Sequence, residues 1–168
     1  MTIFLCGFMG CGKTTAGRIA AKKLGFAYED TDELIVRKEG MTIPEIFAKK
    51  GEDYFRKTEA ETVKSLCGKH AVVSCGGGAM LNPDTARSAR ECGMVIFLNT
   101  PFELCYERIK NDSNRPIAAN STKSELLERF NSRFKIYSEN SSVTIDGTGS
   151  PAENAGRIAE AVKRGKKC

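Results

Sequence analysis

The stretch Gly7-Phe-Met-Gly-Cys-Gly-Lys-Thr14 decides the fold of this chain. Its pattern, a glycine, four variable residues and then glycine, lysine and threonine, is typical of a loop whose backbone amides cradle phosphate groups. The apolar run Thr2 to Cys6 before it predicts a buried parallel strand, and apolar residues recur at helical spacing from Ala16 to Leu24 after it. A strand, a glycine-rich turn and a helix in this order predict a nucleotide-binding α/β protein.

Each residue type in this loop has a physical reason. Gly7, Gly10 and Gly12 allow the backbone to curl so that successive N–H groups point inward, and the helix that follows adds the positive end of its dipole. Lys13 can reach the outer phosphates, and the Thr14 hydroxyl can ligate a magnesium ion. The loop therefore predicts a bound nucleotide, but it does not say which reaction follows.

Length and composition indicate an ordinary globular chain. The 168 residues, 40% hydrophobic and 28% charged, suffice for one well-buried core, so we expect a single domain spanning 1–168. No apolar run approaches the roughly 20 residues of a membrane span and no cleavable leader precedes the first strand, so we expect a cytoplasmic protein. The net charge of +5 comes from basic residues interleaved with carboxylates, which predicts neither a nucleic-acid partner nor a membrane partner.

The seven cysteines are odd in number, show no C-x-x-C pairing and mostly have apolar neighbours. We therefore expect reduced packing residues rather than disulfides or zinc ligands. Cys11 lies within the phosphate loop, where its thiol could make the site sensitive to oxidation.

Apolar runs alternate with helical patterns along the chain, which predicts a mainly parallel sheet with helices on both faces. The further strands are predicted at Phe26 to Glu29, Ala71 to Cys75, Met94 to Leu98 and Ser142 to Ile145. Capping boxes predict helix starts at Thr42–Glu45, Thr100–Glu103, Thr122–Glu125 and Ser150–Glu153, and Asn82-Pro83 is a related start. The polar stretch Asn111 to Lys123 is an active-site lid or a surface loop, and its composition does not decide between the two.

Asp30-Thr-Asp32 ends the second predicted strand, at the carboxyl edge where ligands bind in open α/β sheets. One carboxylate could hold magnesium through water, and the other could orient or deprotonate a hydroxyl. Alternatively, Asp32 caps the helix predicted from Glu33 to Lys38. Gly76-Gly77-Gly78 follows the third strand, and three consecutive glycines favour close approach of a ligand to bare backbone N–H groups.

Charged side chains on later helices offer further contacts. Arg56 and Glu59 lie three residues apart on the helix predicted from Glu52 to Leu66, so they share a face as a surface ion pair or as a functional one. Arg115 in the polar stretch and Arg133 on a later helix could each close over a phosphate or a carboxylate through bidentate pairing.

Several of these features occur in one order: GFMGCGKT, Asp30-Thr-Asp32, Phe55-Arg56-x-x-Glu59, Gly76-Gly77-Gly78, Arg115-Pro116 and Arg133-x-x-x-Tyr137. Together they resemble the shikimate kinase family across essentially the whole chain. The resemblance implies ATP-dependent phosphorylation of the 3-hydroxyl of shikimate, giving shikimate 3-phosphate and ADP in the route to aromatic amino acids. It also implies the three-layer α/β/α P-loop kinase fold, with a five-stranded parallel sheet in the order 2-3-1-4-5 and a flexible lid at about 111–123.

The resemblance further assigns roles at the acceptor site. Asp32 would hold the reacting hydroxyl and act as candidate base. Arg56, positioned by Glu59, and Arg133 would clamp the shikimate carboxylate. Two glycine backbones and two aromatic rings would complete the site: Gly77, Gly78, Phe47 and Phe55. Burial tendencies alone would instead place both phenylalanines in the core.

At the nucleotide site the resemblance implies contacts to ATP from the phosphate loop, the first helical turn and later segments: Gly10, Cys11, Gly12, Lys13, Thr14, Thr15, Arg108, Arg115 and Pro151. Thr14 and Asp30 would hold Mg²⁺, and Arg115 would swing in with the lid onto the transferring phosphate. Arg108 and the loop Asp146 to Pro151 would sandwich adenine. This loop has no basic residue, in contrast to many relatives, so its contact to adenine would be through backbone alone. A monomer is expected.

Other kinases and one other class of protein compete with this interpretation. Gluconate kinase and nucleoside-monophosphate kinases are the nearest rivals, but the triple glycine and the Arg56 and Arg133 pair favour a compact carboxylated polyol. A GTP-dependent switch would explain the D-x-x-G match at Asp146-Gly-Thr-Gly149. That match follows the last predicted strand, however, and the sequence has no N-K-x-D motif for reading guanine.

Overall fold

The structure, a computed structural model, describes residues 1–110 and 121–165. Its strands are Thr2–Cys6 (β1), Ala27–Asp30 (β2), Ala71–Ser74 (β3), Gly93–Asn99 (β4) and Val143–Asp146 (β5). They form one sheet in the order β2-β3-β1-β4-β5, in which every neighbouring pair is parallel. This confirms the predicted order and brings the carboxyl ends of all the strands to one edge.

Helices connect these strands throughout the described residues. The α-helices are Lys13–Leu24 (α1), Thr31–Glu39 (α2), Ile43–Ser65 (α3), Pro83–Cys92 (α4), Phe102–Ile109 (α5), Lys123–Asn140 (α6) and Pro151–Gly165 (α7), and Ala79–Leu81 forms a short 3₁₀ helix. α3 is interrupted at Gly51, whose φ of 84° is left-handed, so a second helical stretch begins where the sequence predicts one, near Glu52. Within the described part of the chain, no helix is both long enough and apolar enough to cross a membrane.

The core lies on both faces of the sheet, as an apolar parallel strand requires. Along β1, Ile3 and Leu5 face a cluster shared with α1 and α7, and Phe4 and Cys6 face a cluster shared with α3, α4 and α6. These four side chains are fully buried. The result is the three-layer α/β/α arrangement expected from the alternating elements.

Most of the predicted helix starts are present. The side chains of Thr42 and Thr122 accept from the backbone N–H groups of Glu45 and Glu125 in complete capping boxes, and Asn82 caps α4. Thr122 and Lys123 at the end of the predicted lid are therefore the cap and first residue of α6.

The box predicted at Thr100 is wrong. Pro101 occupies the cap position of α5 without a side-chain hydrogen bond, and Glu103 instead pairs with Lys123 at 2.7 Å. The Thr100 hydroxyl lies between two carbonyl oxygens, those of Cys11 and Gly147. The pattern thus marks the start of α5 correctly, but its capping hydrogen bonds do not form because the Thr100 hydroxyl has tertiary partners.

The expectation of reduced cysteines is wrong for one pair. Cys67 follows α3 and Cys92 ends α4, and the two form a disulfide with their Cα atoms 5.4 Å apart. They are 25 residues apart in sequence, so only the packing of α3 against α4 brings them together. Cys6, Cys11, Cys75 and Cys105 are free and buried, as expected of packing residues, and Cys168 lies outside the described residues.

Replacing both bridged cysteines, as Cys67→Ser with Cys92→Ser, is expected to lower the free energy of unfolding by roughly 3 kcal/mol. The bridge closes a segment of 25 residues and so restricts the unfolded chain. Urea denaturation of the two proteins measures this difference, and wild type in excess reductant should match the variant. Titration of thiols in denatured, unreduced protein should find two fewer than after reduction; an equal number would show that the bridge does not form.

Candidate active site

The phosphate loop, residues 7–14, lies between β1 and α1 as predicted. Gly10 and Gly12 have left-handed φ values of 78° and 97°. A Cβ on Gly10 would also lie 2.6 Å from the carbonyl oxygen of Cys105 in α5, closer than atoms can pack. Gly10 is therefore required both by backbone conformation and by packing against α5, and Gly12 is required by backbone conformation.

Lys13 lies at the first position of α1 with its side chain folded back over the loop. Its Nζ donates to the carbonyl oxygens of Gly7 and Phe8 at 2.8 and 3.1 Å, and lies 3.5 Å from Cys11 Sγ. The ammonium group is thus already at the centre of the curled loop, where phosphate oxygens would replace carbonyls as its acceptors. Cys11 is only 1% exposed, so its thiol is poorly accessible to the oxidants to which the sequence suggested it could be sensitive.

Asp30 is fixed at the mouth of this loop. Its Oδ1 accepts from the backbone N–H groups of Asp32 and Glu33 at 3.0 and 3.4 Å, so Asp30 caps α2 and the alternative that Asp32 is the cap is wrong. Its Oδ2 lies 3.5 Å from Thr14 Oγ1 and 3.4 Å from the hydroxyl of Tyr28. Sequence reasoning did not identify Tyr28, whose position two residues before Asp30 on β2 places it on the same face of the strand.

The glycine loop at residues 76–78 follows β3 and is crowded by side chains. A Cβ on Gly76 would lie 2.5 Å from Asp32 Oδ1 and 2.8 Å from Glu59 Oε1. A Cβ on Gly78 would overlap the guanidinium of Arg56. Bare backbone at positions 76 and 78 is therefore what allows α2 and α3 to bring these three charged groups to the end of β3.

Arg56 is held by carboxylates on two sides. Its Nη1 donates to Glu59 Oε2 at 2.8 Å, and its Nε and Nη2 donate to Glu52 Oε1 at 3.2 and 3.1 Å. Glu59 is only 3% exposed, so the alternative of a surface ion pair is wrong. Glu52 was not predicted, although its spacing of four residues from Arg56 is a signal for such a pair.

Burial and charge act against each other in this cluster. Burial raises the pKa of the Glu59 carboxyl in spite of the hydrogen bond from Arg56, and the nearby charge of Asp32 raises it further. Burial also acts to lower the pKa of Arg56, but the hydrogen bonds to Glu59 and Glu52 raise it overall. The guanidinium of Arg56 thus stabilises the buried carboxylate of Glu59, and their ion pair holds the guanidinium in place.

α6 contributes Arg133 and Tyr137 to the opposite side of the glycine loop. The hydroxyl of Tyr137 donates to the carbonyl oxygen of Gly77 at 2.5 Å, and Arg133 Nη1 lies 3.5 Å from the same oxygen. Burial raises the pKa of Tyr137, which keeps its proton in place for this bond. The sequence pattern contained Tyr137, but it did not indicate this contact.

A cavity of about 310 Å³ lies between the two arginines, and Glu52, Glu59 and Gly78 also line it. A larger groove of about 520 Å³ lies between β5 and α7, and of the predicted site residues it is lined by Asp146 alone, from the loop implied to contact adenine. We therefore take the smaller cavity as the candidate acceptor site, because charged groups converge on it.

The aromatic pair, Phe47 and Phe55, does not line this cavity. The rings of Phe47 and Phe55 are 4.8 Å apart, and Phe55 is buried against Ile35 and Ile46. The Arg56 guanidinium lies 5.3 Å from the centre of the Phe55 ring. Phe55 is thus a core residue that also supports Arg56, and Phe47 is only partly buried.

At the nucleotide end, Arg108 Nη1 donates to the carbonyl oxygen of Gly10 at 3.1 Å, so this arginine from α5 lies against the phosphate loop. Thr15 is exposed in the first turn of α1, and Pro151 begins α7. Arg115 and most of the predicted lid, residues 111–120, lie outside the described residues.

Phosphate-binding groups thus gather at the end of β1, and a cluster suited to a carboxylate gathers at the end of β3. This arrangement defines a small-molecule kinase built on the phosphate-loop fold. The family model for shikimate kinase matches residues 9–163, and the chain belongs to that family.

Individual relatives agree with the family match. A shikimate kinase of Persephonella marina is 44% identical over 138 residues, which cover 82% of this chain and 84% of the relative. The solved shikimate kinase of Acinetobacter baumannii in complex with shikimate has a TM-score of 0.90 at 36% identity, covering 98% of this chain and 94% of that one. A gluconokinase from Sinorhizobium meliloti has a TM-score of 0.62 at 18% identity, covering 99% and 93% of the two chains, so this likeness concerns the fold alone.

Lys13→Ala is expected to abolish the thermal stabilisation that ADP with magnesium gives the protein, because it removes the cation at the centre of the phosphate loop. The fold should persist, since the hydrogen bonds of the side chain go to Gly7, Phe8 and Cys11 within its own loop. Melting curves with and without nucleotide measure the effect. Lys23→Ala, at an exposed position of the same helix, is the control and should keep the full shift; an equal shift in Lys13→Ala would contradict the role.

Proposed function

We propose that this chain phosphorylates the 3-hydroxyl of shikimate with ATP, giving shikimate 3-phosphate and ADP in the route to aromatic amino acids. One observation carries the proposal: Arg56, held by the buried Glu59, and Arg133 face one cavity beside the glycine loop. A pair of guanidinium groups beside bare backbone suits a ligand with a single carboxylate. We further propose that the enzyme is a cytoplasmic monomer of one domain.

The acceptor is bound by two guanidinium groups on one side and by a carboxylate on the other. Arg56 and Arg133 bind the shikimate carboxylate, while Asp32, adjacent to Gly76, holds the 3-hydroxyl. The backbones of Gly77 and Gly78 lie beside the carboxylate, and the rings of the aromatic pair, Phe47 and Phe55, support the apolar side of the carbocycle. The ligand is thereby oriented with its hydroxyl toward the phosphate loop.

Asp32 acts as the base of the transfer. The 3-oxygen forms a bond to the γ-phosphorus while the bond from that phosphorus to the β,γ-bridging oxygen breaks, and the hydroxyl proton passes to the Asp32 carboxylate. Phosphoryl transfer needs little covalent assistance, so positioning and charge neutralisation supply most of the acceleration. Lys13 and the backbone amides of the phosphate loop bind the β and γ phosphates. The resemblance to the shikimate kinase family assigns Arg115 to the transferring phosphate.

The nucleotide site also suits magnesium. Thr14 Oγ1 and Asp30 Oδ2, 3.5 Å apart at the mouth of the loop, are the hydroxyl and carboxylate oxygens that this cation takes alongside phosphate and water. When bound, magnesium neutralises charge on the β and γ phosphates. The remaining contacts to ATP come from the loop, from α1 and from the adenine end: Gly10, Cys11, Gly12, Thr15, Arg108 and Pro151.

The test of this function is ADP release by the purified chain with ATP and magnesium, using shikimate, gluconate, AMP or no acceptor. ADP release that requires shikimate is the expected result. Release with gluconate or AMP alone would contradict the assignment of the acceptor, and equal release without an acceptor would contradict the kinase function altogether.

Arg133→Ala is expected to raise the KM for shikimate roughly 10- to 100-fold, because a charged hydrogen bond to the ligand is lost. The KM for ATP should change less than twofold. Steady-state kinetics with each substrate varied in turn separates the two effects. Lys135→Ala removes an exposed cation from the same helix and should leave both constants unchanged. An unaltered KM for shikimate in Arg133→Ala would contradict the carboxylate clamp.

Gly78→Ala is expected to raise the KM for shikimate at least about 5-fold, because its Cβ would displace the Arg56 guanidinium. Gly156→Ala in α7 is the matched control, since nothing lies within 4 Å of a Cβ there. Circular dichroism establishes that both variants fold before kinetics are measured. Equal constants for the two variants would show that bare backbone at position 78 does not serve the acceptor site.

A further inference from the structure

The loop between β5 and α7, residues 146–150, owes its two glycines to close packing. A Cβ on Gly147 would overlap the hydroxyl of Thr100, and a Cβ on Gly149 would lie 3.1 Å from Asn154 Oδ1 and 3.2 Å from Arg157 Nη1. Neither glycine has a left-handed φ. The D-x-x-G match in the sequence therefore reflects close approach of this loop to other side chains rather than a guanine-nucleotide switch.

Thr100 joins this loop to the phosphate loop. It is only 2% exposed, and its Oγ1 lies 3.1 Å from the carbonyl oxygen of Cys11 and 3.3 Å from that of Gly147. A threonine hydroxyl carries one proton, so that proton is shared between two acceptors on different loops. The side chain therefore sets the distance between the phosphate loop and the 146–150 loop.

Asn154 supports the same loop from α7. It is 3% exposed, and its Nδ2 donates one proton to the carbonyl oxygen of Gly147 at 3.1 Å and one to that of Gly149 at 3.0 Å. Its Oδ1 accepts from Arg157 Nη1 at 3.2 Å, and Arg157 also pairs with the Asp146 carboxylate at 2.9 Å. A fully bonded buried amide of this kind fixes the backbone that it contacts.

The loop is also bonded to the end of β4. The N–H of Gly147 donates to the carbonyl oxygen of Asn99 at 2.7 Å, and the N–H of Thr148 donates to Asp146 Oδ1 at 2.9 Å. The Gly147 bond, Thr100 and Asn154 thus attach the loop to the end of β4, to the phosphate loop and to α7, while the Thr148 bond lies within the loop itself. Its separation from the phosphate loop is thereby determined before any ligand binds.

We propose that Thr100 and Asn154 are positioning residues for the nucleotide, which fix the spacing between the phosphate loop and the 146–150 loop. This inference rests on the proposed function and on the family resemblance, which implies that the loop Asp146 to Pro151 contacts the adenine of the ATP whose phosphates bind the phosphate loop. A ligand that spans two sites gains affinity when the spacing is preset, because its second contact forms at high effective concentration. A ligand that uses only one of the sites gains nothing from that spacing.

The test compares ADP, which spans both loops, with inorganic pyrophosphate, which needs only the phosphate loop. Isothermal titration in the presence of magnesium measures both affinities for wild type, Thr100→Val and Asn154→Asp. Thr100→Val keeps the shape of the side chain but removes its proton, and Asn154→Asp removes the two donated protons. We expect ADP affinity to fall roughly 5- to 20-fold in each variant, with pyrophosphate affinity within twofold of wild type.

Kinetics and rescue complete the test. In Thr100→Val and Asn154→Asp the KM for ATP should rise by a similar factor, while kcat and the KM for shikimate stay within twofold. Thr100→Ser keeps the hydroxyl and should therefore bind ADP as tightly as wild type. Thr144→Val, at an exposed threonine of β5, is the matched control and should behave as wild type. These readouts separate positioning from a general loss of stability, which would not distinguish ADP from pyrophosphate.

Variants that keep the wild-type ratio of the two affinities would overturn the inference, whether both affinities are unchanged or both fall by the same factor. A wild-type protein that binds ADP no more tightly than pyrophosphate would also overturn it, because adenine would then gain nothing from the 146–150 loop. That last outcome is distinguishable from failure of the proposed function, which is decided by shikimate-dependent ADP release.

Discussion

The cluster of charged groups at the end of β3 depends on bare backbone at Gly76 and Gly78. Side chains at positions 76 or 78 would occupy the space now taken by Asp32, Glu59 and Arg56. Because these groups come from α2 and α3, and the carbonyl of Gly77 accepts a bond from α6, one glycine loop joins three helices around one cavity. The cost in conformational freedom of Gly76 and Gly78 is offset by the positions that Asp32, Glu59 and Arg56 occupy, because a Cβ at either residue would displace these side chains.

The phosphate loop lies at the same edge of the sheet, but its glycines serve a different purpose. There the glycines curl the backbone over Lys13, and the carboxylate of Asp30 serves both α2, through Oδ1, and the mouth of the loop, through Oδ2. Because Asp30 and Asp32 are separated by one residue, the proposed metal ligand and the proposed base are linked through the first turn of one helix. Parallel strands ending at one edge are what bring the two substrates together.

The sequence predicted the strands and the two glycine loops that follow β1 and β3, because periodicity and glycine motifs are local signals, and the family resemblance gave the order of the strands. The roles assigned to the site residues stay predictions. The sequence could not predict contacts that depend on tertiary packing. Thr100 has the pattern of a helix cap, yet its hydroxyl lies between Cys11 and Gly147. The disulfide between Cys67 and Cys92 was missed for the same reason, since the packing of α3 against α4 brings the two cysteines together. The amide of Asn154 was missed although its partners Gly147 and Gly149 are near in sequence, because the conformation of the loop defines them.

The most direct measurement is isothermal titration of the wild-type chain with shikimate and with its methyl ester, in the presence of ADP and magnesium. The ester keeps the ring and the hydroxyls but lacks the charge that Arg56 and Arg133 are proposed to bind. Shikimate is expected to bind roughly 10- to 100-fold more tightly than the ester. Equal affinities would contradict the proposal that these arginines bind the carboxylate. They would also contradict the identification of the cavity as the acceptor site.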